Sequence, residues 1–213
     1  MINPSSINLS EFLTTWYGAP SEGHEEATSD HPMLPQPLQD WHAIAAKWPV
    51  PLVRNKKLVT SGEVIIKDDK AIFMTDPGDA VWAFDPVNPN IIYEGSLYGE
   101  WTQLDETLTS FLLHNAINEA AYGAPYTRSC EVVPDKLISV IVAPMTEIDF
   151  PKWNWPRPGH RTYMSETLIA NIGPAMEDEE PWGDKNGYSE VQVGATHASA
   201  LNYLDEISEI SWY

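Results

Sequence analysis

The stretch that decides the fold reads Val64-Ile65-Ile66-Lys67-Asp68-Asp69-Lys70-Ala71-Ile72-Phe73-Met74, then Asp76-Pro77-Gly78, then Ala80-Val81-Trp82-Ala83-Phe84 and Asp85-Pro86. Two apolar runs flank the charged turn Lys67 to Lys70, as the arms of a hairpin would. A third run follows after an Asp-Pro-Gly turn. A fourth, Ile91-Ile92-Tyr93, sits between Asn88-Pro89-Asn90 and Glu94-Gly95. Short apolar runs cut by aspartate, proline and glycine predict a meander of antiparallel strands. Strand alternation puts Trp82 and Phe84 on one face of the third strand and Val81 and Ala83 on the other. Such a sheet needs a cover on at least one side.

The strongest helical pattern supplies that cover. From about Glu106 to Tyr122, Leu108, Phe111, Leu112, Ala116 and Ala120 form one stripe, with Asp105 as N-cap and Gly123 as stop. Upstream of the meander, Ser10 to Tyr17 predicts a short helix with Leu9, Phe12, Leu13 and Trp16 on one side, ended by Gly18 and Pro20. Ser21 to Pro32 is read as an acidic loop, and no lysine or arginine precedes Lys47. A second helix follows Pro35 and Pro37, carrying Leu38, Trp41, Ala45 and Trp48 until Pro49 and Pro51 stop it. Downstream, Leu137 to Val142 reads as a buried strand and Val191 to Gly194 as a short one. Asp149 to His160 and Met176 to Gly187 read as loops, and Thr196 caps a last helix with Ala198, Leu201 and Leu204. Without the regular alternation of a doubly wound sheet, and without internal repeats, this order predicts an α+β fold: a mixed, mostly antiparallel β-sheet with helices packed around it. The expected division is an N-terminal helix and acidic arm over 1–32, then one domain over 33–213.

Composition narrows the function. The chain has 213 residues, 43% of them hydrophobic, which suits a folded core. Thirty-one acidic residues against 12 basic ones leave a formal charge of −19. That charge repels phosphate backbones and anionic lipid, so neither nucleic acid nor membrane is expected as a direct partner. There is no long uncharged apolar run and no basic, then apolar leader at Met1 to Ser6, so the expected location is cytoplasmic. The lone Cys130 has no partner for an internal disulfide and reads as a small packing residue.

Catalytic signatures are missing. Gly95-Ser96-Leu97-Tyr98-Gly99 fails the glycine-x-serine-x-glycine spacing, and Ser96 reads as a turn residue. No two of the six histidines lie three or four residues apart on a predicted helix, and no phosphate-binding glycine loop occurs. His42 and His114 read as polar edges beside apolar helix faces. Carboxylates are too abundant for any pair to stand out. Asp76, Asp79 and Asp85 bracket the Trp82 strand and suit either turns or a functional surface. The expectation is therefore no enzyme, no metal and no cofactor.

Two features stand above this background. The run Glu177-Asp178-Glu179-Glu180 precedes Pro181-Trp182, and like charges hold such a loop open to solvent. An exposed tryptophan beside carboxylates suits contact with a basic protein. Trp153 and Trp155, set among Pro151, Pro156 and Pro158, read as anchors of their loop, with aromatic recognition as the alternative.

A set of segments then points to a family. Leu34-Pro35-Gln36-Pro37-Leu38-Gln39-Asp40-Trp41, Arg54-Asn55-Lys56-Lys57-Leu58, Ala71-Ile72-Phe73-Met74, Ala80-Val81-Trp82-Ala83-Phe84-Asp85 and Leu108-Thr109-Ser110-Phe111-Leu112 occur in this order. Together they resemble the SMI1/KNR4 (SUKH) superfamily over residues 34 to about 122, and more loosely at Val191 to Leu201. Where many relatives carry an acidic-asparagine-glutamine-glycine loop, this chain has Thr75-Asp76-Pro77-Gly78-Asp79. The resemblance implies an α+β fold and a non-enzymatic role. Bacterial members of this kind are taken to be immunity proteins that neutralise a toxin domain, often a nuclease, by stoichiometric binding. Fungal relatives act as intracellular scaffolds, which is the alternative here. The expected partner is a basic protein, a toxin domain. The expected contacts are Asp76, Asp79, Trp82, Glu177, Asp178, Glu179, Glu180 and Trp182.

Overall fold

The computed structural model describes residues 1–21 and 34–213. The acidic stretch read between Ser21 and Pro32 therefore lies, beyond Ser21, outside the described residues, as does the expected boundary of the N-terminal arm. The chain divides into two compact units, Asn8–Glu119 and Met1–Ile7 together with Ala120–Tyr213.

The first unit opens with α1 (Leu9–Tyr17), which buries Phe12, Leu13 and Trp16. Its cap is Asn8, ahead of the expected start at Ser10: the Asn8 side chain accepts the Glu11 backbone N–H at 3.1 Å. Helix α2 (Gln36–Ala45) carries a proline in its first turn and buries Leu38 and Trp41. It stops short of Trp48, whose indole N–H instead donates to the Gly18 carbonyl at 2.9 Å.

The meander follows as β1 (Lys57–Leu58), β2 (Ile65–Lys67), β3 (Lys70–Thr75), β4 (Ala80–Phe84), β5 (Ile92–Ser96) and β6 (Trp101–Gln103). These form one antiparallel sheet in the order β1-β3-β4-β5-β6, with β2 also paired to β3. Ile72 faces Ala83 and Met74 faces Trp82, so Phe73 is the extra residue of a bulge. That bulge lets Phe73 and Met74 both reach full burial.

Helix α3 (Leu108–Tyr122) covers the sheet with Phe111, whose ring meets Phe73 edge-on at 5.6 Å and Trp82 at 6.2 Å. Each such aromatic contact adds roughly 1 kcal/mol beyond the area it buries. The helix starts two residues later than expected, with the Thr107 hydroxyl accepting the Ser110 N–H. On the opposite sheet face Trp101 closes over Ile72, Val81 and Ala83. Gly95 makes this closure possible, because a Cβ there would sit 2.9 Å from the Trp101 ring.

The second unit is built on β7 (Tyr126–Pro134), β8 (Thr146–Glu147), β9 (Arg161–Met164), β10 (Leu168–Met176) and β11 (Asp184–Ala195). They form a second antiparallel sheet in the order β7-β11-β10-β9-β8. The α+β class holds, with two antiparallel sheets in place of one. Leu137 to Val142 is not a strand. A short 3-10 turn over Asp135–Leu137 leads into α4 (Ile138–Ile141), burying Leu137, Ile138 and Ile141 and leaving Val140 exposed. A 3-10 turn over Ala198–Leu201 and α5 (Asn202–Asp205) follow, with Leu201 and Leu204 in the same core as Val133, Ile172 and Val193. Among the described residues no helix is long and apolar enough to cross a membrane.

Candidate functional site

The expected contact residues fall in different units. In the first unit, Asp76 and Asp79 sit in the turn between β3 and β4. The Asp76 carboxylate accepts the Ala80 N–H at 2.9 Å, and the Asp79 carbonyl accepts the Leu97 N–H. Asp79 is exposed and Asp76 half-buried. Asp85 likewise closes its turn on the Val87 and Asn88 N–H groups, which hold its carboxyl below the usual range. Trp82 requires a correction. It is 1% exposed, beneath Phe111, so it supports the sheet and offers no surface to a partner. A tryptophan on a central strand of a covered sheet is core.

In the second unit, the loop expected over Met176 to Gly187 is shorter. Strands β10 and β11 run on through Met176 and from Asp184, so Glu177 to Gly183 form the tip of a long hairpin. The Glu177 N–H donates to the Gly183 carbonyl and closes the tip. Glu177, Asp178, Glu179 and Glu180 are all exposed, and Trp182 is 62% exposed. Among the described residues the one ion pair in this run joins Asp178 to Lys185 at 2.7 Å. The hairpin therefore presents a net anionic tip with an open indole beside it. Trp153, by contrast, is buried and Trp155 half-buried, which favours loop anchoring over recognition.

The sequence reading missed two polar clusters. The first lies in the first unit. The Lys56 ammonium is 2.9 Å from Glu119 Oε1 and 3.2 Å from Asn118 Oδ1, and the Lys56 and Glu119 side chains are fully buried. Glu119 Oε2 accepts the Arg54 and Asn55 N–H groups at 2.7 and 2.8 Å. One carboxylate thus ties the 54–56 segment to α3. Burial pulls the Lys56 pKa down, while Glu119 pushes the other way. Burial also pushes the neighbouring Tyr17 hydroxyl up to about 12. His114, four residues before Asn118, is buried with Nδ1 3.1 Å from Glu106. Its polar-edge reading thus becomes a buried pair. The signal was Asn115, Asn118 and Glu119, each seven residues beyond Leu108, Phe111 and Leu112, so that these polar side chains fall on the apolar stripe itself. A polar group on a buried stripe calls for a buried partner. Here α3 is buried on both faces.

The second cluster lies on one face of the second sheet. Ser129 faces Gln192, Gln192 faces Asn171, and Asn171 faces Thr162, so four polar side chains form a row across β7, β11, β10 and β9. The next row carries Glu190, Gly173 and His160, with His160 3.2 Å from Glu190 and Arg157 3.3 Å from it. A Cβ at Gly173 would collide with the His160 ring, so this glycine lets the imidazole lie against the strand. A pocket of about 240 Å³ opens over these rows beside Tyr122 at the end of α3. Cys130 faces Val191 and packs toward the apolar core, as its packing reading requires. Among the described residues, no group of three His, Cys, Asp or Glu side chains is placed to hold a metal ion. No family model, no curated protein and no solved structure matches the chain.

Proposed function

We propose that the chain is a non-enzymatic protein-binding module, an immunity protein that neutralises a basic toxin domain by stoichiometric binding. The observation that carries this reading is the tip of the β10–β11 hairpin, where four exposed carboxylates flank an exposed Trp182. On a chain of charge −19, carboxylates at a projecting tip steer a cationic partner and raise its association rate at low salt. An indole that is desolvated on contact then slows dissociation, as tryptophan anchors do at the centre of interfaces. A nuclease domain presents a cationic cleft of the kind such a tip fits. The resemblance to SMI1/KNR4 proteins supports the same role.

The test is binding to the product of the adjacent gene, followed by stopped-flow kinetics. Replacing Glu177, Asp178, Glu179 and Glu180 together by lysine is expected to slow association at low salt by about tenfold or more and to flatten its salt dependence. Trp182→Ala is expected to speed dissociation with little change in association. Unchanged kinetics in both variants removes the hairpin from the interface.

A further inference from the structure

The pocket on the second sheet is unused by that reading, and its walls have a definite hydrogen-bonding pattern. Asn171 is 4% exposed, and its Oδ1 accepts the Thr162 hydroxyl at 3.0 Å. Among the described residues its Nδ2 has no hydrogen-bond partner. A buried amide donor left unpaired costs about 1–3 kcal/mol, so a fold retains one where something else takes the bond. Directly across the strand pair, Gln192 uses its Nε2 on the Ala121 carbonyl at 3.5 Å, which leaves Oε1 as an acceptor. A donor and an acceptor thus stand side by side on facing residues, whose Cβ atoms are about 5 Å apart in such pairs.

The rest of the lining limits what can bind. Tyr122 supplies an aromatic wall, and among the described residues no lysine or arginine lines the pocket. Glu131 and Glu190 bring negative charge. Burial works against the charge on Glu190, yet His160 and Arg157 beside it hold its carboxyl below the usual range. A phosphate or carboxylate is disfavoured here. The 240 Å³ volume is smaller than the roughly 300–1,000 Å³ of pockets for drug-sized ligands, and suits a single ring system with little attached.

We propose that this pocket binds a small, uncharged planar heterocycle whose edge sets an acceptor beside an N–H donor, the chemistry of a free nucleobase or nucleoside. The acceptor takes the Asn171 amide N–H, the donor meets Gln192 Oε1, and the ring lies along Tyr122. The experiment is a calorimetric and two-dimensional amide-spectrum titration of the full chain with uracil, cytosine, adenine and hypoxanthine, and with their nucleosides. At least one probe is expected to bind saturably with Kd below about 1 mM, moving the side-chain amide signals of Asn171 and Gln192. Gln192→Ala, at a half-exposed position, is expected to weaken that probe by about tenfold. Asn171→Leu is expected to weaken it at least as much, and the 5′-monophosphate of the same nucleoside is expected to bind less tightly. Absence of saturable binding by every probe overturns the proposal. So does binding that Gln192→Ala leaves unchanged, or binding tighter to an oligonucleotide than to the nucleoside.

Discussion

Replacing Glu119 by alanine is the most informative perturbation of the first unit. The carboxylate makes three contacts within 2.9 Å, to the Lys56 ammonium and to the Arg54 and Asn55 N–H groups. Breaking a fully buried ion pair by removing one partner costs about 3–5 kcal/mol, because the remaining charge is left in a low-dielectric site. Lys56 keeps Asn118 at 3.2 Å and the more distant fields of Asp76 and Glu94, which places the pair near the lower end of that range. The two N–H groups lose their acceptor as well, at about 1 kcal/mol or more each where water cannot reach them. The expected loss is about 4–6 kcal/mol, a large part of the roughly 5–15 kcal/mol that holds a domain folded. Urea denaturation followed by tryptophan fluorescence measures it. The discriminating sign comes from a second variant. Lys56→Met combined with Glu119→Ala removes the stranded ammonium and is expected to be more stable than Glu119→Ala alone. A double variant that is less stable by the sum of the single losses would refute the reasoning. So would a single variant within about 1 kcal/mol of the parent chain.

Two further predictions concern particular burial and packing. Burial lowers the His114 pKa below 6.5, with Glu106 opposing and Lys56 assisting, so the unfolded chain takes up a proton that the folded chain refuses. Stability is therefore expected to be full above pH 6.5 and to fall as the pH drops below it, and His114→Gln is expected to flatten urea midpoints between about pH 7 and pH 5. At Gly194 a Cβ would collide with the Ala121 carbonyl and lie 2.8 Å from Ala124 Cβ. Gly194→Ala is expected to destabilise the second unit by about 3 kcal/mol, read as a lower thermal midpoint, whereas alanine at the open Gly62 position is not expected to meet such a clash.

The meander was legible because each strand ends in a turn written in aspartate, proline, glycine or asparagine, and because Trp82 and Phe84 alternate with Val81 and Ala83. The second sheet was largely hidden. Strand β7 carries Arg128, Ser129 and Glu131 and ends at Pro134, and β10 contains Pro174, so neither shows a clean apolar alternation. Leu137 to Val142 misled for a different reason. An apolar run of strand length is ambiguous by periodicity alone, and only the buried spacing of Leu137, Ile138 and Ile141 reveals a helical turn. The acidic tip could be read directly because like charges are contiguous in sequence. The pocket could not, since its walls come from the end of α3, from short stretches of β7 and β11, from Asn171 of β10 and from His160 just before β9, and depend on register.

The β10–β11 hairpin joins the two proposed sites within one unit. Asn171 and Gln192 face each other near its base, and Glu177 to Trp182 form its tip. Between them the pairing shifts register after Pro174, and Arg157 bridges that point by bonding the Pro174 carbonyl, Asp184 and Glu190. The base has one face in an apolar core that includes Ile172, Val191 and Val193, while among the described residues the tip is held by its backbone closure and the Asp178–Lys185 pair. Stability along the hairpin must therefore fall from base to tip, because buried apolar contacts are what raise the cost of local opening. A projecting, adaptable tip suits rapid capture of a charged partner. A rigid base suits a fixed donor and acceptor pair, since a pocket that reads one ligand edge needs its amides held in place. Arg157 sits between base and tip, and its three contacts tie the strands together where the ladder is interrupted.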